Sequence, residues 1–248
     1  MNHSRSNAEA PHEPDLPPYQ VVLAETDWSS LETAFGNGED LPKILARLLE
    51  TDPKVQVTAL WELGELVGHQ NTIYEATAPV AMYIAGILTH PAAMTLRPYR
   101  NVPIRADLLH WLVSKTYDAS DEIVERVEQY VPGFLTPGTI VASFRELRPM
   151  LYRAVSPFLE DSHEDVREAA VIAALILAEH PALTEHRDHL AVHARAILDT
   201  GSDDPNRRVA RKALEAWGHD VPDPEPFREE AWDWGPHSDC RGDLEPPF

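Results

Sequence analysis

The sequence predicts an all-α fold, a right-handed α-solenoid of stacked antiparallel helix pairs, and three observations support this prediction. A pattern typical of helix starts recurs along the chain. It consists of an Asp followed by a branched apolar residue that stands four positions before Ala or Leu. It occurs at residues 52–60, 165–171 and 204–214, and a weaker copy without the Asp lies at residues 104–109. Apolar residues follow a helical period between these copies. Convincing alternating strand patterns are absent. Recurring units of this kind bury a core by stacking on their neighbours.

Apolar periodicity and prolines predict nine or ten helices. Their approximate spans are 28–35, 40–50, 54–68, 73–89, 103–117, 119–130, 139–160, 164–179, 184–199 and 205–217. Pro149 and Pro157 each remove a backbone donor inside the seventh span, so we expect it to kink or split. The helix from Val166 is apolar on nearly every side between Ala169 and Ala178, which predicts that neighbouring helices bury it.

The fourth span opens with a capping-box pattern. Thr72 and Glu75 are three residues apart. The Thr72 hydroxyl can therefore accept a hydrogen bond from the Glu75 amide, while the Glu75 carboxylate can accept one from the Thr72 amide. An apolar stripe at helical spacing follows, formed by Val80, Tyr83, Ile84, Ile87 and Leu88. Pro79 is expected to kink this helix or to restart it after Thr77.

Prolines and charges divide the chain into three parts. Residues 1–26 are predicted to be a polar tail, residues 27–218 the repeat domain, and residues 219–248 an acidic tail rich in proline. Val21 to Leu23 form one weak strand candidate. The second tail carries aromatic residues that either cap the end of the solenoid or bind a partner, namely Phe227, Trp232, Trp234 and Phe248.

The charge of the chain favours some partners over others. The 248 residues carry a net charge of −20, from 41 acidic and 21 basic side chains. This excess repels phosphate backbones and attracts cationic partners, although negative charge also aids solubility. Arg145, Arg148 and Arg153 could form a small basic strip that binds nucleic acid. Because the net charge opposes such binding, a nucleic-acid interface is the least favoured alternative.

Cysteine usage and hydropathy indicate a cytoplasmic protein. Cys240 is the one cysteine, so the sequence excludes an internal disulfide and a zinc site made of cysteines. Residues 1–7 lack the apolar region of a secretory signal. The apolar run Ala169–Ala178 has about half the length that spans a bilayer. We therefore expect no membrane contact.

Residues 159–170 carry a family resemblance. Their sequence, Leu-Glu-Asp-Ser-His-Glu-Asp-Val-Arg-Glu-Ala-Ala, resembles the Asp-then-Val-Arg-x-x-Ala pattern of HEAT repeats, which are armadillo-like α-solenoids. HEAT repeats commonly form a ladder of Asp and Arg between adjacent turns, and Asp161 and Arg167 match these positions. Arg105 matches the Arg of the weaker copy. Gln56 and Ala210 replace Arg in the other copies, so a continuous ladder is not expected.

Residues 69–76, His-Gln-Asn-Thr-Ile-Tyr-Glu-Ala, resemble a linker of bacterial, often actinobacterial, HEAT-repeat proteins. Together the resemblances cover most of residues 40–217. They imply a non-enzymatic scaffold or regulator that binds another protein. Some HEAT-like bacterial proteins act as immunity proteins that neutralise toxins, and an acidic chain that covers a cationic effector fits this role.

Three histidines are the main candidate for metal chemistry. His186, His189 and His193 recur at i, i+3 and i+7, which places three imidazoles on one helical face. Imidazole binds zinc, nickel and copper well. Because metal sites usually draw ligands from more than one element, a solvated helix face is the favoured interpretation and no cofactor is expected. A metal-dependent or modifying enzyme on a HEAT scaffold is the alternative.

Arginines concentrate in a connection between repeats. Arg97, Arg100 and Arg105 surround Tyr99, and guanidinium groups bind oxyanions, but pairing with the acidic surplus is the favoured interpretation. We expect a binding groove on the helices 73–89, 139–160 and 184–199. Candidate partner-contacting residues are Tyr99, Arg100, Arg105, Trp111, Arg148 and His189. Phosphate loops, serine elbows and triads are not recognisable, so no catalytic residue is assigned.

Overall fold

The computed structural model describes residues 15–98, 100–199 and 205–221. These residues are mostly helical, so the predicted all-α class is confirmed. The α-helices are α1 Tyr19–Glu25, α2 Leu41–Arg47, α3 Pro53–Gly68, α4 Thr77–Ile87, α5 Ile104–Asp118, α6 Asp121–Glu128, α7 Ile140–Arg145, α8 Arg148–Val155, α9 Glu164–Leu177, α10 Arg187–Leu198 and α11 Pro205–Ala216. Short 3-10 turns lie at Trp28–Ser30, His69–Asn71, Pro91–Met94, Ser156–Phe158 and Pro181–His186. Two short strands, β1 Glu32–Thr33 and β2 Gly36–Asn37, pair in antiparallel fashion.

Four helices pack in sequence as a first row. α3 contacts α5, α5 contacts α9, and α9 contacts α11. These are the helices on which the recurring pattern lies. Three further helices, α4, α8 and α10, pack beside the first row, and we refer to them as the second row. The helix α4 contacts α5 and α8, α8 contacts α9, and α10 contacts α9 and α11. Each copy of the pattern therefore corresponds to one helix of the first row.

The helix α9 forms the centre of the core. Every residue from Ala169 to Ala178 is buried, as the sequence predicts. The helix contacts α5, α8, α10 and α11, which cover it from several sides. Its alanines have small side chains, so neighbouring helices approach closely and the interior stays densely packed.

Polar side chains at one helical position connect neighbouring segments of the first row. The Arg105 Nε donates to the Leu88 carbonyl at 2.8 Å, and its terminal nitrogen lies 3.5 Å from the Asp161 carboxylate. The Arg167 guanidinium donates to the Asp161 carbonyl at 2.7 Å. Gln56, which stands at the same position of α3, donates to the Leu48 carbonyl at 2.9 Å and the Ala92 carbonyl at 3.0 Å. A glutamine thus joins adjacent segments at the position that an arginine occupies in α5 and α9.

The helix predicted at residues 28–35 is wrong, because β1 and β2 form a tight hairpin there. Gly36 has φ +133°, a conformation that favours glycine, and its carbonyl accepts the Thr33 hydroxyl at 3.1 Å. The Ala34 amide donates to the Leu66 carbonyl at 2.8 Å. Contact with α3 therefore holds the hairpin against the helical body.

The predicted capping box is also wrong, because α4 begins at Thr77. The Glu75 carboxylate accepts the Glu32 amide at 2.9 Å instead of returning to the amide of Thr72. The Thr77 hydroxyl donates to the Val67 carbonyl at 2.7 Å. The helix therefore begins at Thr77, close to the position where the sequence predicts that Pro79 restarts it.

Several predicted boundaries change in the structure. The predicted tail 1–26 is too long, because α1 packs against α4 and Val22 is 5 % exposed. Residues 21–23 are accordingly helical. The seventh span splits as expected, with Pro149 in the first turn of α8 and Pro157 in the following 3-10 turn. Residues 1–14 and 222–248 lie outside the described residues, and so do the aromatic residues and Cys240 of the C-terminal tail.

Among the described residues, no helix has both the length and the apolar character needed to cross a bilayer. The buried run of α9 is instead covered by other helices of the chain. Its apolar character is explained by burial within the core.

Candidate functional site

A groove of about 310 Å³ lies between two helices of the first row, α3 and α5. Its lining residues are one turn apart on each helix, so each helix presents one face to the groove. Arg97 contributes from the connection before α5. The helical residues are Val57, Leu60 and Trp61 from α3, with Asp107, His110 and Trp111 from α5. We refer to this feature as the α3–α5 groove.

Trp61 provides a large exposed surface beside the groove. It is 67 % exposed, whereas Trp111 of the facing helix is 8 % exposed. Tryptophan is enriched among residues that dominate protein interfaces, because it offers a large apolar area. The α3–α5 groove therefore combines an accessible aromatic side chain with a buried one.

Two buried polar atoms of the groove residues have no hydrogen-bond partner among the described residues. They are Asp107 Oδ2 and Trp111 Nε1. The other Asp107 oxygen lies 3.2 Å from the Arg97 guanidinium. Buried polar groups are nearly always hydrogen-bonded, and an unsatisfied one costs about 1–3 kcal/mol. The protein encloses both atoms, so a ligand that supplied one donor and one acceptor would remove this cost only once the covering side chains had moved.

Burial also affects the ionisation of Asp107, the carboxylate of the groove. Removal from water raises the pKa of Asp107, and the positive charge of Arg97 opposes that effect. A second cation beside Oδ2 would stabilise the carboxylate further, because opposite charges favour the ionised form. The groove is therefore suited to a cationic donor with an apolar stem.

The predicted arginine cluster separates into different environments. Arg97 lines the α3–α5 groove, whereas Arg105 is largely buried and lies 4.6 Å above the Phe158 ring. Arg100 is exposed, and Tyr99 lies outside the described residues. Arg97 and Arg105 both lie beside carboxylates, in keeping with the favoured sequence interpretation. Arg105 connects segments of the fold, so it is not displayed on a docking surface.

Arg148, another predicted partner-contacting residue, is inside the protein. It is 0 % exposed and donates to the Ala119 carbonyl at 2.8 Å and to the Glu179 carboxylate at 2.9 Å. Arg145 binds the same carbonyl and pairs with Asp121. Arg153 lies 3.5 Å from the Asp15 carboxylate. The predicted basic strip is therefore not a continuous surface, because all three arginines make contacts within the protein and Arg148 is buried.

The three predicted histidines do not form one cluster. The His186 ring belongs to a 3-10 turn and stacks on Tyr152, with 4.6 Å between ring centroids. His189 and His193 remain together on α10, with centroids 4.9 Å apart. Glu160 joins them, and its Oε1 lies 3.4 Å from His193 Nε2. The sequence analysis missed Glu160 because it precedes α9, far from the histidines in the chain.

Ionisation of His193 follows from its position. Burial lowers the pKa of His193, with a further lowering from His189 and an opposing effect from Glu160. The side chain of His193 is 14 % exposed, whereas that of Glu160 is 78 % exposed. The cluster therefore contains one packed imidazole and two accessible groups.

A larger cavity of about 600 Å³ lies among α6, α9 and α11. Several of its charged groups have partners within the protein: Lys212 lies 2.7 Å from Glu122, and Arg187 lies over the Trp217 ring. The hydrogen bond from Lys212 lowers the pKa of Glu122. Because these polar groups are satisfied internally, the larger cavity supports a binding function less strongly than the α3–α5 groove.

Comparisons with protein-family models, with curated proteins and with solved structures find no match. The resemblance to HEAT repeats therefore stays a prediction from the sequence. In the chain's own geometry, Trp61, Asp107 and Trp111 meet at one groove. Of these residues, sequence analysis identified Trp111 and missed the other two.

Proposed function

We propose that this chain is a non-enzymatic interaction protein that holds a cationic segment of another protein in the α3–α5 groove. The observation that carries the proposal is the pair of buried polar atoms without partners, Asp107 Oδ2 and Trp111 Nε1, beside the exposed Trp61. Both atoms belong to residues that line the groove, and a shift of the side chains that cover them would open one acceptor and one donor to an incoming chain. The predicted groove on the second row is thereby replaced by one on the first row.

We further propose that the helices form a right-handed α-solenoid of the HEAT type. The successive contacts of α3, α5, α9 and α11 support this arrangement. The approach of Arg105 to Asp161 supports it as well, because it joins consecutive helices of the first row as a ladder would. Solenoids of this kind present extended binding surfaces, which suits a scaffold.

The proposed partner is basic. A lysine or arginine side chain would donate to Asp107 Oδ2 while its stem packs on the Trp61 ring, where cation–π attraction adds to the contact. A backbone carbonyl of the same segment would accept the Trp111 N–H. The net charge of −20 would speed the encounter with such a partner. A regulator or immunity protein that covers a cationic effector fits this chemistry.

Retention of proteins from a lysate of the cells that naturally make this chain tests the proposal. The full chain is immobilised at low and moderate salt, and bound proteins are quantified by mass spectrometry. We expect one basic protein to be retained, and less of it at moderate salt because screening weakens exposed charge contacts. Trp61→Ala and Asp107→Asn are each expected to reduce retention at least tenfold.

The matched control is Tyr130→Ala, which removes an aromatic side chain that is 80 % exposed outside the groove. It is expected to retain the basic protein as the natural chain does. Equal retention by the natural chain, Trp61→Ala and Asp107→Asn would contradict the proposed site. Circular dichroism of each variant shows whether the fold is intact.

A further inference from the structure

Glu160, His189 and His193 bring three potential metal ligands together from two separate parts of the fold. One ligand atom of each lies within 4.8 Å of the others. His189 and His193 are on α10, and Glu160 is in the turn between Ser156–Phe158 and α9. The site therefore takes ligands from two elements, whereas the sequence pattern indicated histidines of a single helix.

The geometry suits a small tetrahedral ion. Two histidines at i and i+4 lie on the same face of a helix, a spacing that also serves zinc binding in other helices. His193 Nε2 and Glu160 Oε1 are 3.4 Å apart. Adjacent ligands of a tetrahedral zinc ion, with bonds of about 2.0–2.2 Å, are themselves about 3.4 Å apart. Small rotations of the exposed His189 and Glu160 side chains would bring the third ligand to that distance.

We propose that Glu160, His189 and His193 bind one divalent transition-metal ion of the zinc class. Two imidazoles and one carboxylate select zinc, copper or nickel over calcium and magnesium, which prefer sets of oxygen ligands. Three protein ligands leave a fourth position for water. The ion would connect α10 to the turn before α9, so it would stabilise the contact between consecutive parts of the fold.

This metal site is separate from the proposed docking groove. The α3–α5 groove uses residues of α3 and α5, whereas the ligands lie on α10 and before α9. His186, which is close in sequence, stacks on Tyr152 and is outside the cluster. Failure of either proposal therefore leaves the other intact.

Isothermal titration of the full chain with ZnCl₂ tests the site. The protein carries no histidine tag and is first treated with a chelator. We expect one equivalent of Zn²⁺ to bind. His189→Ala and Glu160→Gln are each expected to weaken the binding at least tenfold, because each removes one of three ligands. Both side chains are exposed, so their replacement leaves the packed core unchanged.

His186→Ala is the matched control, since it removes a neighbouring imidazole that is not a ligand. It is expected to bind Zn²⁺ with unchanged affinity. Thermal unfolding gives a second readout: ZnCl₂ should raise the Tm of the natural chain and of His186→Ala, but not that of His189→Ala. Absence of Zn²⁺ binding by the natural chain would overturn the proposal. Equal affinity of His189→Ala and the natural chain would also overturn it.

Discussion

Arg148 connects three parts of the fold through one side chain. It belongs to α8, yet it donates to the Ala119 carbonyl at the end of α5 and to the Glu179 carboxylate after α9. The Asp121 amide donates to the same carboxylate at 2.9 Å. Because Arg148 is fully buried, loss of its side chain would leave the Glu179 carboxylate without its guanidinium partner, with the Asp121 amide as its remaining donor.

Arg148→Ala is expected to lower the free energy of unfolding by about 3–5 kcal/mol, the usual cost of removing one partner of a buried ion pair. Urea denaturation measures the change. Arg153→Ala is the control, because Arg153 is partly exposed and exposed ion pairs contribute about 0–1 kcal/mol. Equal losses in the two variants would contradict the structural role assigned to Arg148.

Single residues also show where sequence analysis reaches its limit. Arg145, Arg148 and Arg153 look alike in the sequence, and only the tertiary fold distinguishes them. Trp111 was identified as a candidate anchor and does line the α3–α5 groove. Trp61 was missed, because an apolar residue in a periodic helix is usually read as core, whereas this one is 67 % exposed.

Helices of the first row are connected to adjacent segments by one recurrent position. Gln56 of α3, Arg105 of α5 and Arg167 of α9 each donate to a backbone carbonyl before or beyond their own helix. Gln56 reaches two carbonyls, Leu48 and Ala92, and is 0 % exposed. The position therefore serves the same packing role with either a glutamine or an arginine.

Replacing Gln56 with an apolar side chain of similar size tests this role. Gln56→Leu would leave the Leu48 carbonyl without its donor, whereas the Ala92 carbonyl would keep the Thr95 amide at 3.2 Å. We therefore expect a loss of about 1–3 kcal/mol in the free energy of unfolding, the usual cost of one buried polar group left unsatisfied. Chemical denaturation provides the measurement. Gln129→Leu, at an exposed position, should change stability by less than about 0.5 kcal/mol. A stable Gln56→Leu variant would show that packing alone joins these segments.

A helix or strand can be predicted from the sequence when residues close to it in the chain determine where it begins. Asp52 caps α3 by accepting the Lys54 amide at 2.9 Å, and Pro53 begins the helix, so the sequence places this start correctly. Helix α4 begins later than predicted, because Glu75 binds the distant Glu32 amide. The hairpin before α2 likewise depends on α3. Contacts between distant segments therefore decide the elements that the local pattern misplaced.

The whole molecule combines a strong negative charge with two separate candidate sites. Its charge of −20 favours a basic partner, and the α3–α5 groove combines an exposed indole with a buried carboxylate oxygen that has no partner among the described residues. The composition alone predicts that the proposed partner is positively charged. The position of the groove required the packing of α3 against α5, since its two walls are far apart in sequence.

The most direct test of the account places a photoreactive benzophenone amino acid at position 61, in place of Trp61, and separately at position 130. Each full chain is irradiated in a lysate of the cells that naturally make it, and cross-linked proteins are identified by mass spectrometry. We predict that position 61 captures one basic protein, that position 130 does not, and that Asp107→Asn abolishes the cross-link. Absence of capture from position 61, or the same capture from position 130, would contradict a docking site in the α3–α5 groove.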